Sequence, residues 1–243
     1  MRSMIIRVSL ADGPTGFGES PTSLSLSNET IPVMKGILPD LLPFFRELPI
    51  DEYEPVITEL RNRYPGYPMT MSGLETALFR AHTKSEGIEE RAYWGGKTKT
   101  IETDITIPFI LDRDFIIRWI HYGVRKGFTV YKLKVSGNTD QDKELIGFVN
   151  TTLKNSLQDF ALRLDGNQGY TTRTFQQILD YVEKHNVRIE LFEQPLPKDD
   201  QQGFAELYRR SPVPIILDEA VVTEDDAQRV AEKHLGHGIN IKI

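Results

Sequence analysis

From Thr103 onward the chain alternates without a break between short β-branched stretches and helix-like ones. The first kind are "TDITIPFI", "TVYKLKV", "FALRLDGN", "RIELFEQP", "PIILDEA" and "GINIKI"; the second include "DFIIRWIHYGVRKG", "DQDKELIGFVNTTLKN", "TTRTFQQILDYVEKHN", "FAELYRRS" and "TEDDAQRVAEKHL". Such alternation predicts βα units and a parallel sheet, because parallel neighbours need a crossover between them. The polar residues that end the strands recur at a steady interval. Lys134, Asp165, Glu193, Asp218 and Lys242 are separated by 31, 28, 25 and 24 residues. One unit of a (β/α)₈ barrel occupies about 30 residues, so the expected fold is α/β, a partial TIM-type (β/α)₈ barrel of about six units.

Charged residues at one phase of such a repeat converge on the mouth of the barrel, where sites are built. That mouth would collect Lys132 and Lys134, Asp165 and Asn167, Glu193, Asp218 and Glu219, and Lys242. Each feature alone has a plain structural explanation. A lysine pair can snorkel from an edge strand, "LDGNQGY" can be an Asx-turn, and "FEQP" can be a strand ending before proline. Their coincidence at one phase favours chemistry. Three carboxylates with no cysteine or histidine describe a hard, oxygen-only site that suits Mg²⁺. A substrate carboxylate on that ion would have its α-proton acidified, since the metal stabilises the enediolate left by deprotonation. Lysine acts as a base only when neutral, and a neighbouring ammonium and a divalent cation both disfavour its charge. Lys134 beside Lys132 is therefore expected to have a lowered pKa. Lys242, four strands further on, would face it from the opposite wall, and two bases on opposite faces of a planar intermediate invert a stereocentre. Asn167 and Glu219 either touch substrate or hydrogen-bond the groups that do.

The first hundred residues have a different texture. "MIIRVSLADGPTGFGES" reads as two strands joined through Asp12-Gly13-Pro14, and helical periodicity follows over 31 to 46, over 52 to 63 and in "MSGLETALFRAHTKSEG". Ser72, with Glu75 three residues on, is the expected N-cap of the last helix. Residues 1–100 are thus expected to form an α+β capping domain and residues 101–243 the barrel domain. "GFGES" lacks the strand-to-helix setting of a phosphate loop.

Composition narrows the function. The net charge of −6, with acids and bases interspersed, argues against nucleic acid and anionic membranes as partners. Absence of cysteine excludes disulfides, thiolate zinc sites and cysteine nucleophiles. The five histidines have no ligand spacing. No signal-peptide pattern opens the chain and no window is long and apolar enough to span a bilayer, so a soluble cytoplasmic protein is expected.

The motifs "YKLKVSG", "LDGNQGY", "FEQP", "LDEA" and "NIKI", in this order and spacing, resemble the enolase superfamily and its muconate-lactonizing subgroup. With "GFGESPTSLSLSNET" and "ETDITI" the chain is most similar to dipeptide epimerases of the L-Ala-D/L-Glu type. The resemblance implies Asp165, Glu193 and Asp218 as Mg²⁺ ligands, Lys134 and Lys242 as the two acid/base catalysts, and Lys132 as an electrostatic aid near the substrate carboxylate. The implied substrate is a small carboxylate, a dipeptide, epimerised by 1,1-proton transfer. The same chemistry also serves a cycloisomerase or an o-succinylbenzoate-synthase-like lyase, and a non-catalytic remnant is a further alternative. Family members usually carry one more strand and a mobile loop at the start, and two more barrel strands at the end. The expectation is that this polypeptide, if whole, has unpaired sheet edges, is poorly stable or self-associates through them as a possible homo-oligomer, and has weak or no epimerase activity.

Overall fold

The computed structural model describes residues 2–22, 29–97 and 100–241, which divide into two compact units near Thr100. In the first unit, β1 (Ser3–Ser9) and β2 (Thr15–Pro21) form an antiparallel hairpin, turned by Gly13 at φ +113°. Three helices follow, α1 (Ile31–Leu41), α2 (Tyr53–Arg63) and α3 (Pro68–Ser85), with the short α4 (Glu90–Tyr93) after them. The expected helix over 31 to 46 tightens to a 3₁₀ turn at Leu42–Phe45, where Pro43 has no N–H for the α ladder. The glycines of "GFGES" serve packing. A Cβ at Gly16 would lie 2.0 Å from the Ala77 carbonyl oxygen, and one at Gly18 would lie 1.8 Å from that of Gly73. Glycine is what lets β2 lie directly on α3.

The start of α3 corrects one expectation. Ser72 is inside the helix, which begins four residues earlier at Pro68. Proline suits the first turn because its missing N–H would go unused there. The free donors that follow are met from a distance: the buried Glu29 carboxylate accepts from the backbone N–H groups of Met69 (2.7 Å) and Thr70 (3.0 Å). A carboxylate from another segment thus replaces the local cap.

The second unit is the βα repeat. Its strands are β3 (Ile105–Ile107), β4 (Val130–Lys134), β5 (Ala161–Asp165), β6 (Ile189–Glu193), β7 (Ile215–Leu217) and β8 (Gly238–Ile239). All neighbours are parallel and the spatial order is the sequence order. Helices α5 (Arg113–Arg125), α6 (Thr139–Ser156), α7 (Thr172–Lys184), α8 (Gln201–Arg210) and α9 (Glu224–Lys233) connect them. Side chains alternate across each strand. Tyr131 and Leu133 of β4, Leu162 and Leu164 of β5 and Phe192 of β6 enter one apolar core with Ile146, Val149, Phe175 and Ile178 of the helices. Lys132 and Lys134 are on the other face of β4, outside that core. Caps fix the helix starts: Asn138 accepts from Gln141 N–H, Thr171 from Thr174 N–H, and Asp200 from Gly203 N–H. No helix among the described residues is long and apolar enough to cross a membrane.

Candidate active site at the strand ends

Parallel register puts Lys134 opposite Asp165 and Asp165 opposite Glu193, so the last residues of β4, β5 and β6 form one row. Asp218 follows the last residue of β7 and begins a turn. Asp165, Glu193 and Asp218 are 1%, 5% and 5% exposed, which is unusual for ionisable groups. The charges of Asp165 and Glu193 are met from β4. Lys132 Nζ is 3.1 Å from Glu193 Oε2 and 4.0 Å from Asp165 Oδ2, and Lys134 Nζ donates to Asp165 Oδ2 at 2.9 Å. Two ammonium groups share one strand face because each has a carboxylate facing it.

The amides extend this cluster. Asn167 Oδ1 accepts from Lys134 Nζ at 2.8 Å, and Asn167 Nδ2 donates to Glu219 Oε1 at 3.0 Å. Asn167 is held at φ +40°, with its own N–H bonded to Asp165 Oδ1 at 3.1 Å. Lys132, Lys134, Asp165, Asn167, Glu193 and Glu219 thus form one connected polar network. The backbone N–H of Asp218 donates to Gln194 Oε1 at 2.8 Å. Lys242 lies outside the described residues.

Two of these groups have shifted pKa values. At Lys132 burial works to lower the pKa, but the charge and hydrogen bond of Glu193, with the charges of Asp165 and Asp104, outweigh it and the net shift is upward. Lys132 is therefore held as an ammonium. Glu193 is raised first by burial and then by the charge of Asp165, with Asp218 adding to it and Lys132 opposing. At Glu193 the charges of Asp165 and Asp218 thus act with burial and against Lys132.

Buried carboxylates set this close together are the kind of group that binds a hard cation. The donor set consists of carboxylate and amide oxygens, and Glu219 Oε2 is buried with no hydrogen-bond partner. The set fits Mg²⁺ in the kind of donor. Among the described residues, no three acidic or histidine side chains are gathered about a single point. Lysine ammoniums instead take up oxygens of Asp165 and Glu193.

Three contributors were missed in the sequence. Asn240 Nδ2 donates to Glu193 Oε1 at 2.9 Å, and its place in "NIKI" was the available signal. Asp142, fully buried in the first turn of α6, accepts from Ser136 N–H (2.9 Å), Ser136 Oγ (2.9 Å), Gly137 N–H (2.8 Å) and the Tyr170 hydroxyl. It ties the loop after Lys134 to the loop after Asp165, and burial beside that carboxylate pushes the Tyr170 pKa up. Asp142 is one acid among several in its helix turn and carried no signal. Gln194, the amide of "FEQP", is the third.

The profile of the family described as "Enolase C-terminal domain-like" matches residues 118–243. The chain belongs to that family. Relatives include the L-Ala-D/L-Glu epimerase of Francisella tularensis subsp. novicida, 24% identical over 99% of this chain and 67% of its own length. The L-Ala-D/L-Glu epimerase of Bacillus subtilis is 27% identical over 99% of this chain and 65% of its own. Among solved structures, the muconate lactonizing enzyme of Pseudomonas putida superposes with a TM-score of 0.80 at 25% identity, covering 98% of this chain and 66% of that one. The chain spans about two-thirds of the length of these proteins. The six sequential parallel strands correspond to part of the superfamily's (β/α)₈ barrel.

Proposed function

We propose that this chain carries the core of a Mg²⁺-dependent epimerase site that inverts the α-carbon of a dipeptide of the L-Ala-D/L-Glu type. In this reading, residues 1–100 are the capping domain and 101–243 the barrel domain. The observation that carries it is the pairing of Lys132 with Glu193 and of Lys134 with Asp165 and Asn167, at the ends of adjacent strands. The names of the relatives supply the substrate class. Asp165, Glu193 and Asp218 would hold the ion, which when bound makes the α-proton of a carboxylate substrate more acidic.

The chain's own groups do the rest. Lys132, kept charged by Glu193, offers a fixed positive charge to the substrate carboxylate. Lys134 removes or returns the α-proton on one face, and its bond to Asn167 Oδ1 aims the nitrogen. Lys242 serves the other face. Asn167 and Glu219 hold Lys134 in line.

The test is proton exchange at the α-carbon of L-Ala-L-Glu and L-Ala-D-Glu in D₂O, followed by NMR with Mg²⁺ and with chelator. Deuterium should enter with Mg²⁺ and stop with chelator. Lys134→Ala and Lys242→Ala should each abolish epimerisation, by at least about 10²-fold, while each keeps exchange from the epimer that the other lysine serves. Loss of exchange from both epimers in either variant overturns the two-base assignment. Turnover of a muconate with no dipeptide exchange would instead support the cycloisomerase reading.

A further inference from the structure

Asp218 lies past the end of β7, where the strand ladder no longer holds the backbone. The turn it begins has two inward-facing donors, the N–H groups of Asp218 and Ala220. Both go to one atom, Gln194 Oε1, at 2.8 and 3.2 Å. The other end of the same amide donates from Nε2 to the Leu196 carbonyl at 3.0 Å. Gln194 is fully buried and has φ +36°, and its own N–H bonds the Ile216 carbonyl at 2.8 Å. The residue next to Glu193 is therefore anchored to β7 by its backbone, and its side chain reaches back to hold the turn after β7.

We infer that Gln194 is a positioning residue that sets the turn carrying Asp218 and Glu219 against Glu193. Its chemistry suits the task. One neutral carbonyl oxygen takes two N–H donors, and one N–H satisfies the Leu196 carbonyl, so nothing in the joint is charged beside two buried carboxylates. A methionine of similar length would leave two buried donors and one acceptor without partners. The consequence for metal binding rests on the proposed function; the joint itself does not.

The experiment uses the full 243-residue chain and its Gln194→Met and Gln194→Glu variants. Amide hydrogen exchange is read without metal, and Mg²⁺ affinity by calorimetry. In Gln194→Met the Asp218 and Ala220 amides should exchange roughly 10-fold faster, while those of Leu164 and Phe192 keep their protection. Gln194→Glu keeps acceptor oxygens at the joint and should keep those two amides protected. Should Gln194→Met fail to fold, Gln194→Asn, one methylene too short to reach both donors, gives the same reading. Mg²⁺ affinity should fall about 10- to 100-fold in the Met variant. Unchanged exchange at Asp218 and Ala220 overturns the inference, as does faster exchange with unchanged Mg²⁺ affinity. A wild-type chain that binds no Mg²⁺ overturns the metal reading instead, and the exchange data still decide whether Gln194 holds the turn.

Discussion

The two ends of the parallel sheet hold charge to different depths. At the C-terminal ends of the strands, Asp165, Glu193 and Asp218 are buried, and Asn167, Gln168 and Gln194 adopt positive φ. Toward the N-terminal ends, Asp159 and Arg188 are 4.0 Å apart with side chains 92% and 86% exposed, while Arg163 of β5 bridges Asp104 and Glu190 at 3.0 and 2.7 Å with partly buried side chains. Charge left in water keeps a protein soluble at little cost. Charge taken out of water is costly and must be held by partners. The fully buried carboxylates are at the C-terminal ends, and the most exposed pair is at the other.

The comparison breaks most sharply at Asp142, which is buried and holds two loops of the C-terminal rim. Asp142→Ala removes the acceptor of two backbone N–H groups and two hydroxyls, and should cost about 4 kcal/mol in urea unfolding. Tyr170→Phe removes one of those bonds and should cost about 1.5 kcal/mol, because this one is made to a charged group. A loss under 1 kcal/mol for Asp142→Ala would mean that the rim does not depend on its buried charge.

Next comes Lys132. Lys132→Met leaves Glu193 buried without its main counter-charge, and should cost about 3 kcal/mol at pH 8. The sign of the pH dependence follows from Glu193, whose pKa is already raised by burial and by Asp165 and rises further without Lys132. A carboxyl with a raised folded pKa contributes stability that is present below its unfolded pKa and lost as pH rises through the folded value. The penalty should therefore shrink toward pH 4.5 and grow toward pH 8. An equal loss at both would show that Lys132 acts through packing alone.

Much of this rim was legible in the sequence, because strand ends recur with the βα period and the period is a property of residue order. Lys134, Asp165 and Glu193 fall on one row for that reason. The ties between loops follow no period. Glu29 caps a helix 40 residues away, and Gln194 holds a turn 24 residues away. Nothing local to either residue announces such a partner. Ser72 misled for the converse reason: its local pattern fits a cap, but the proline four residues earlier and the carboxylate of Glu29 had already started the helix. The positive φ at Asn167 was half visible, since asparagine tolerates that region, whereas Gln194 there was not.

The smallest expected effect tests the other rim. Arg188→Ala removes the cation of the Asp159 pair, and both partners are in water before and after the change. At 4.0 Å and this exposure the attraction is screened by solvent and salt, and two long side chains must be ordered to make it. The variant should unfold within about 0.5 kcal/mol of wild type at any pH from 5 to 9. If Arg188→Ala instead costs as much as Lys132→Met, burial would not be what sets the worth of a charge pair on this sheet.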